Sequence, residues 1–333
     1  MNTTAITHTL GIDVSKRSLD GCLLDNRTGS LLWEGSLPND SFAIPPLMDA
    51  LHRVSASPES VLCVMEATGR YSEQLAALLR RCGFRAAIVN PSQIKHFGRS
   101  LNVRTKTDKA DARIIARYGR ERSPVPTRPL NDLEMELRDL TRELSAQVDD
   151  RSRLRLRRSE AQSPWLDSQL KEQIRELDVR IAAIEARALA LCKADAAMAR
   201  NLDLLCTIPG IQVRTALRVL SEIAGKDFQS ARQMAAYAGV TPSDHLSGSS
   251  VRGRARISKI GNARLRKALY MSAHVARRYC QPLRDWADDL IGRGKAKKAV
   301  IIAVMRRLLH IAFGILKHQT PFDPNRAAIR YTP

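Results

Sequence analysis

The chain has 333 residues, of which 54 are Lys or Arg and 34 are Asp or Glu, so its formal net charge at pH 7 is +20. A charge excess of this size favours a polyanionic partner, most often nucleic acid, and disfavours an acidic secreted enzyme or a simple small-molecule enzyme. Hydrophobic residues make up 44% of the chain, too many for a disordered basic tail, and the length is enough for two or three domains.

The sequence shows no pattern typical of membrane insertion, secretion or disulfide bonding. Its longest strongly apolar run, residues 299–305, is far shorter than the roughly 20 residues of a membrane span. The first residues lack the basic and apolar segments of a signal peptide. The six cysteines are scattered, without a Cys-x-x-Cys pair. We therefore expect a cytoplasmic protein with reduced thiols and no membrane partner.

The first part of the chain alternates strand and helix patterns. Short apolar runs bounded by turn residues predict strands at 9–13, 19–24, 30–37, 61–66 and 84–89, and helices at 41–54 and 72–82. Three consecutive strands followed by alternating helix and strand predict a mixed sheet with helices on both faces. We place this α/β domain at residues 1–127.

The second part, residues 128–200, has a helical pattern. Apolar residues recur at steps of three and four, with one break at Ser163–Pro164. The series is Leu133, Leu137, Leu140, Leu144, Val148, then Leu166, Leu170, Ile174, Leu177, Ile181, Ile184, Ala188 and Leu191. Between residues 131 and 200 there are 13 basic and 14 acidic residues, so a helical hairpin here is nearly neutral. It suits contact between protein subunits better than contact with DNA, and the alternative is two helices that pack within one chain.

The third part, residues 201–333, is predicted to be mainly helical and is strongly basic. Residues 251–318 contain 17 Lys or Arg and 3 acids, which supplies most of the excess positive charge of the chain. This imbalance predicts nucleic-acid contact. The candidate phosphate-binding residues are Arg104, Lys106, Arg214, Arg252, Arg254, Arg256, Lys259, Arg264, Arg266 and Lys267.

Four acidic residues are candidates for metal binding. Asp13 and Glu66 lie at the ends of apolar strands, where a lone carboxylate is costly to bury. Asp108 and Asp111 are three residues apart, which places both on one face of a helix. Converging carboxylates repel one another, and a hard divalent ion such as Mg²⁺ or Mn²⁺ removes that penalty. For any one acid, a salt bridge or a helix cap is the alternative.

Two further motifs are typical of contact with a phosphate backbone. The turn Ile208-Pro-Gly-Ile211, followed by Arg214, resembles a helix-hairpin-helix turn, although Gln212 stands where the second glycine is usual. A tight turn between two helices is the alternative. The segment 238–261 is rich in Gly and Ser, with interleaved Arg and Lys. Its chemistry favours a binding loop, in which a nucleophilic serine is possible at Ser243, Ser247, Ser249 or Ser250.

Several motifs occur in an order that resembles a known family. They are GIDVSK at 11–16, EATGRY at 66–71, NP at 90–91, RTKTDKADAR at 104–113, the IPGI turn, and the long segment at 235–273 that contains SGSSVRG. From about residue 8 to 325 the chain resembles the DEDD-type insertion-sequence transposases, whose studied members are DNA recombinases guided by a bridge RNA. The resemblance implies an RNase H-like (RuvC-like) N-terminal domain, a coiled-coil insertion and a mainly α C-terminal transposase domain.

The resemblance also implies roles for individual residues. Asp13, Glu66, Asp108 and Asp111 match the metal-binding tetrad of the family, and Ser247 matches its nucleophilic serine. The implied partners are a guide RNA, donor and target double-stranded DNA, and further copies of the chain in a dimer or tetramer that sets the acids of one subunit beside the serine of another. Two alternatives stay open: a nuclease of the Holliday-junction resolvase kind, which uses metal-activated water, and a non-catalytic nucleic-acid scaffold.

Overall fold

The computed structural model describes residues 5–101, 107–243, 246–247, 251–252, 256–257 and 260–327. The chain divides into two compact units, residues 1–129 and residues 130–333. The first unit is built around a sheet and the second unit is mainly helical.

The first unit contains a five-stranded mixed sheet with the order β3-β2-β1-β4-β5. Its strands are β1 (His8–Val14), β2 (Ser18–Asp25), β3 (Leu31–Pro38), β4 (Val61–Glu66) and β5 (Arg85–Val89). The first three strands are antiparallel neighbours, whereas β4 runs parallel to β1 and β5 runs parallel to β4. The predicted mixed sheet is confirmed, and its order is compatible with the RNase H-like domain that the resemblance implies.

Four α-helices accompany the sheet: α1 (Ile44–Arg53), α2 (Arg70–Arg81), α3 (Pro91–Ser100) and α4 (Asp108–Arg122). Short 3₁₀ helices precede α1 and β4, at Ser41–Ala43 and Pro58–Ser60. The sequence patterns did not predict α3. Its signal was present, because Asn90 caps the helix by accepting a hydrogen bond from the Ser92 amide at 2.9 Å, and Pro91 occupies the first turn.

Alternation along β1 separates two packed faces of the sheet. Leu10, Ile12 and Val14 join the core cluster that also contains buried residues of α1 and α2. Gly11, on the other face, meets α4. A Cβ atom at Gly11 would lie 2.2 Å from the Ala116 nitrogen and 2.5 Å from the Ala112 oxygen. The backbone of α4 therefore lies directly against β1, at a distance that only glycine permits.

The second unit begins with two long helices, α5 (Asp132–Glu160) and α6 (Pro164–Lys193). Asn131 and Glu134 form a capping box at the start of α5. Three ion pairs, Glu136–Arg187, Asp178–Arg151 and Asp167–Arg158, show that the helices run antiparallel as a hairpin.

The apolar series predicted to join subunits is largely buried within this hairpin and the unit that holds it. Leu137 and Leu144 on α5, and Leu170, Ile174 and Ile181 on α6, are each 8% exposed or less. The structure thus shows two helices that pack within one chain at these positions, which was the alternative interpretation. Assembly through the same residues stays a prediction.

The rest of the second unit is a helical core around a long apolar helix. Its helices are α7 (Ala196–Cys206), α8 (Val213–Ile223), α9 (Ala231–Tyr237), α10 (Ala263–Tyr279), α11 (Gln281–Gly292), α12 (Lys297–His318) and α13 (Pro324–Ala327). By length and composition α12 could cross a membrane, which corrects the expectation that no segment was long enough. The run of consecutive apolar residues in α12 ends at Arg306, although apolar residues resume after Arg307. The buried side chains of α12, such as Val304 and Leu308, belong to the core of the unit.

Candidate active site

Asp13 and Glu66 stand beside each other at the ends of two neighbouring parallel strands. The last registered pair of β1 and β4 is Ile12 with Met65, and Asp13 and Glu66 are the next residues of their strands. Neighbouring strands lie about 4.8 Å apart. Both acids are half-buried. The predicted convergence of the two strand-end carboxylates therefore follows from strand register.

The helix α4 carries the other two acids of the predicted tetrad to the same face of the sheet. Asp108 and Asp111 lie in its first turn, and the Thr107 hydroxyl caps the helix by accepting a hydrogen bond from the Ala110 amide at 3.2 Å. Asp111 directly precedes Ala112, whose backbone packs on Gly11, two residues from Asp13. The close packing of α4 on Gly11 thus brings Asp108 and Asp111 towards Asp13.

The electrostatic environment of Asp13 reflects this convergence. Burial raises the pKa of Asp13, and the negative charges of Asp111, Asp108 and Asp20 raise it further, while a backbone hydrogen bond at Val14 acts in the opposite direction. Among the described residues, the charged groups that shift the Asp13 pKa are all carboxylates. A cation bound at this position would relieve their repulsion.

Asp20 is a fifth acid of this cluster, and the sequence reasoning missed it. It pairs directly opposite Asp13 in the antiparallel register of β1 and β2, is 8% exposed, and accepts a hydrogen bond from the Ser36 hydroxyl. Strand alternation was the available signal, since Asp20, Cys22 and Leu24 share one face, and the latter two cluster with Ala112 and Ala116 of α4.

The donor chemistry of the cluster fits a hard divalent ion, because carboxylate oxygens are the ligands that Mg²⁺ and Mn²⁺ prefer. Within the described ranges, however, no three acidic, histidine or cysteine side chains lie close enough together to hold an ion as they are placed. The carboxylates of Asp13, Glu66, Asp108 and Asp111 would have to rotate towards a common point.

A bidentate ion pair fastens α4 to the far edge of the sheet. Arg113 donates from Nε to Oε1 of Glu34 on β3 at 2.6 Å and from Nη2 to Oε2 at 2.7 Å. The hydrogen bonds from Arg113 lower the pKa of Glu34. Because the Arg113 guanidinium is hydrogen-bonded to Glu34, it is not directed towards the acidic cluster.

The candidate nucleophile Ser247 lies in the second unit, in a short antiparallel ladder. Leu246–Ser247 pairs with Val251–Arg252, and Pro242–Ser243 pairs with Arg256–Ile257 nearer the base of the same segment. Ser249 and Ser250, the neighbouring alternatives, lie outside the described residues. The described backbone therefore forms two short antiparallel pairings, and Ser247 belongs to the inner of the two.

The base of this serine segment is closed by a close backbone contact. The Asn262 amide donates to the Tyr237 carbonyl at 2.6 Å, which joins the end of the segment to the helix α9 that precedes it. Gly261 has a φ of +145°, and a Cβ atom there would lie 2.4 Å from the Tyr237 carbonyl oxygen. Glycine is required at this crossing both for its backbone conformation and for the space.

A buried polar network holds the same base, and nothing in the sequence patterns pointed to it. Glu222, 5% exposed on α8, accepts a hydrogen bond from the Asn262 side chain at 2.6 Å, and the Tyr237 hydroxyl donates to the Glu222 backbone carbonyl at 3.1 Å. Arg142 on α5 approaches the same carboxylate at 3.8 Å. The network links the helical hairpin to the segment that bears Ser247.

The basic residues predicted to bind nucleic acid fall into three groups. Arg214 pairs with Glu185, Lys267 pairs with Asp149 at 2.5 Å, and Arg266 donates to the Ala238 carbonyl at 2.8 Å, so these three have partners within the chain. Arg264 is exposed at the start of α10. Of the rest, only the backbone of Arg252 and Arg256 is described, and Arg104, Lys106, Arg254 and Lys259 lie outside the described residues.

The turn that resembles a helix-hairpin-helix joins α7 to α8 and packs against α10. Gly210 has a φ of +86°, and a Cβ atom there would lie 2.3 Å from the Ser272 carbonyl oxygen. Ile208 and Ile211, on either side, are 1% and 3% exposed. Packing thus accounts for the glycine and both isoleucines, as expected for a tight turn between helices, and phosphate contact at this turn stays a prediction.

Comparison with known proteins gives two family matches and several full-length relatives. The DEDD transposase model of IS110 matches residues 10–161, and the model described as "Transposase IS116/IS110/IS902 family" matches residues 202–287. Over 317 residues the chain is 32% identical to the "Pilin gene-inverting protein" of Moraxella bovis and to that of Moraxella lacunata, covering 94% of this chain and 97% of each relative.

A third relative is the "Probable family 20 transposase" of Pseudomonas aeruginosa, which is 29% identical over 161 residues, 47% of this chain and 46% of the relative. The first family match spans the four acids, and the second spans the serine segment. The comparisons therefore confirm the resemblance read from the motifs: the chain belongs to the IS110/IS116/IS902 family of DEDD-type insertion-sequence transposases.

Proposed function

We propose that this transposase cuts and exchanges DNA strands through a phosphoserine intermediate at Ser247, with Mg²⁺, for which Mn²⁺ can substitute, held by Asp13, Glu66, Asp108 and Asp111. The observation that carries the metal proposal is the packing of α4 on Gly11, which sets Asp108 and Asp111 against Asp13 so closely that their charges raise its pKa. Three carboxylates in that relation favour binding of a cation.

The proposed cleavage step conserves atoms and bond energy. The Ser247 Oγ attacks the phosphorus of a DNA phosphodiester, a new O–P bond forms, and the bond to the 3′ oxygen breaks. The serine hydroxyl proton is lost and the departing 3′ oxygen gains one, so the products are a 5′-phosphoserine link and a free 3′ hydroxyl. Attack by a 3′ hydroxyl of another strand on that link rejoins the DNA and releases the serine. A bound divalent ion would stabilise the charge that develops on the oxygens.

The names of the relatives favour strand exchange over simple cutting. Inversion of a gene requires that DNA be cut and rejoined, and two relatives that match nearly the whole chain are named as pilin gene-inverting proteins. A nuclease that uses activated water leaves free ends and cannot rejoin them without an energy source. The relatives thus support a covalent intermediate that retains the energy of the cleaved bond.

The proposal includes the partners that the family resemblance implies. A bridge RNA would select donor and target double-stranded DNA, and the protein would recognise mainly backbone and shape. The chain would act as a dimer or tetramer, in the cytoplasm, with residues 1–127 as the metal domain, 128–200 as the coiled-coil region and 201–333 as the serine domain. Sequencing of RNA that copurifies with the protein tests the guide: a single discrete RNA supports it, and random cellular RNA contradicts it.

The metal site is tested by two variants on the same helix. We expect Asp111→Asn to abolish strand cleavage, because the variant removes a charged ligand. Glu121→Gln serves as the matched control, since Glu121 lies in the last turn of α4 and its ion pair within the described residues, with Arg117, is exposed. Excess EDTA should act like Asp111→Asn. Cleavage at the control rate by Asp111→Asn, or in chelator, would contradict the metal proposal.

The nucleophile is tested by trapping the intermediate. Ser247→Ala should bind nucleic acid as the unaltered protein does, because one hydroxyl adds little to an affinity built on many phosphate contacts, and it should lose cleavage. Mass spectrometry after digestion to nucleotides should find a nucleotide on Ser247. A nucleotide on Ser243, Ser249 or Ser250 would reassign the nucleophile, and free DNA ends without any adduct would favour the resolvase-like alternative.

A further inference from the structure

Three arginines and one histidine lie close together on α9 and α12 in the second unit. Arg306, Arg307 and His310 are half-buried on α12, and Arg232 is exposed on α9, which packs against α12. Neither helix contains an acidic residue. The three arginines are close enough to His310 for their charges to act on it.

Two polar atoms of this cluster have no partner within the part of the chain that the structure describes. The Arg306 Nε and the His310 Nε2 are shielded from solvent and form no hydrogen bond with any described residue. Buried polar atoms in native proteins are almost always satisfied, so each exception calls for an explanation. An anion that supplies several acceptor oxygens would explain Arg306 directly, and would also pair with the His310 ring once its Nε2 carries a proton.

Two other cations of the second unit, Arg277 and Arg293, have acidic partners. Arg277 pairs with Asp288, and Arg293 pairs with Asp289, each at 2.7 Å. Arg306, in contrast, forms no ion pair with any described residue. The burial and the neighbouring arginines keep the pKa of His310 low, at about 4. The three arginines thus bring like charges together around His310, an arrangement that an external anion would stabilise.

The position of the cluster suggests which anion it takes. The helix α9 leads directly into the segment that bears Ser247, and Arg232 lies only five residues before Tyr237, at the base of that segment. A ligand with one diffuse negative charge and several acceptor oxygens, adjacent to a nucleic-acid-cutting segment, is a backbone phosphodiester. Arginine matches its geometry with paired N–H donors.

We propose that Arg232, Arg306, Arg307 and His310 form a binding site for a backbone phosphate of nucleic acid. The proposal rests on the proposed function for the source of that phosphate, which is either the DNA strand being processed or the guide RNA. It adds a site to the candidates taken from the sequence, which are Arg104 and Lys106 in the first unit and residues of α8, the serine segment and the start of α10 in the second.

The test compares two variants of the full chain that remove the same charge. Arg306→Gln/Arg307→Gln alters the cluster, and Arg277→Gln/Arg293→Gln alters two cations that already have acidic partners. Each protein is titrated with a 30-base-pair DNA duplex and separately with a 30-nucleotide RNA, in EDTA, over a range of NaCl concentrations. In duplex DNA each lost phosphate contact lowers the magnitude of the salt slope of log K by about 0.9.

We expect the cluster variant to bind about tenfold more weakly at 0.15 M salt, with a slope reduced by about 1, and the control to change less than twofold. A loss confined to duplex assigns the site to substrate DNA, a loss confined to RNA assigns it to the guide, and a loss with both probes assigns it to a shared path. Equal effects of the two variants, or an unchanged slope in the cluster variant, would overturn the proposal.

A single variant guards against a folding defect. Arg232 is exposed, so Arg232→Gln should leave the thermal unfolding curve unchanged while it weakens binding about threefold. Loss of binding without a change in unfolding supports a direct contact, and unchanged binding removes Arg232 from the site. Because the titrations measure binding without cleavage, they are independent of the tests on Asp111 and Ser247, and either proposal can fail while the other stands.

Discussion

The contact between Gly11 and α4 offers a sharp test of how the acidic cluster is built. In Gly11→Ala the new methyl carbon would lie 2.2 Å from the Ala116 nitrogen and 2.5 Å from the Ala112 oxygen. Both are backbone atoms within a helix, so no side-chain rotation can relieve the overlap. Restoring ordinary contact requires α4 to move away from β1 by about 1 Å. Overpacking of this kind costs about 3 kcal/mol of unfolding free energy.

The same displacement carries Asp108 and Asp111 away from Asp13, and a misplacement of about 1 Å in a catalytic site can cost roughly 100-fold in rate. We therefore expect Gly11→Ala to lose both stability and cleavage. Urea unfolding reports the stability through Trp33 on β3, in a background where Trp165→Phe and Trp286→Phe leave it as the sole tryptophan. Cleavage is measured on the same preparations at a temperature where the variant is folded.

The control for this experiment is Gly98→Ala in α3, in the same unit. A Cβ atom there would meet Cδ1 and Cγ2 of Ile114 on α4 at 3.4 Å, which is ordinary contact. Alanine is favoured over glycine within a helix by about 0.5–1 kcal/mol. Gly98→Ala should therefore retain activity and become slightly more stable. If Gly11→Ala behaved like Gly98→Ala, the argument that this glycine sets the position of the helix would be wrong.

Three further outcomes follow from buried groups in the helical unit. Ile181→Asp should lower the free energy of unfolding by more than about 3 kcal/mol, because it buries a charge within the chain, and a thermal melt tests this. An unchanged melt with loss of oligomers would show instead that Ile181 mediates assembly. Glu222→Ala should lower the free energy of unfolding by about 2–4 kcal/mol in a urea titration, because Asn262 and Arg142 lose a buried partner. A loss below about 0.5 kcal/mol would contradict the network. The pKa of His310 is lowered to about 4 in the folded chain, so the unfolded chain takes up a proton first as pH falls below about 6.5, and stability should decrease between pH 7 and pH 4 and no further below that. The full shift corresponds to roughly 3 kcal/mol, and because His310 is half-exposed we expect a loss of about 1–2 kcal/mol. In His310→Gln this part of the pH dependence should vanish.

Much of the first unit could be predicted from the sequence. The strand predicted at 61–66 is observed as Val61–Glu66, and that predicted at 9–13 is observed as His8–Val14, because apolar runs bounded by turn residues are strong signals for buried strands. The pairing of the two strand-end acids could also be foreseen once both strands were placed. The strand limits alone did not place Asp20 opposite Asp13, because the register of this hairpin depends on the type and length of the turn between β1 and β2.

The partners of individual charged residues could not be predicted from the sequence. A sequence shows that Arg214 and Lys267 are basic, but not that Glu185 and Asp149, from the neutral hairpin, lie within reach of them. The roles of Gly11 and Glu222 likewise depend on which helix packs on which element. Composition correctly indicated a nucleic-acid-acting protein, whereas the assignment of particular cations to phosphates needs the tertiary partners of each.

The apolar helix α12 has a consequence for how the chain is made. In chain order it follows α7, α9, α10 and α11, the helices against which it packs. By the time α12 leaves the ribosome, its packing partners have already been synthesised. The apolar face of α12 can therefore pack against these helices as soon as it emerges. Arg306 and Arg307, in its middle, add to this protection, because each arginine at the centre of a bilayer costs about 2.5–3.5 kcal/mol on insertion scales. A chain truncated before residue 297 would leave that core uncovered, and ribosomal stalling just upstream of α12 should therefore yield nascent chains that bind chaperones.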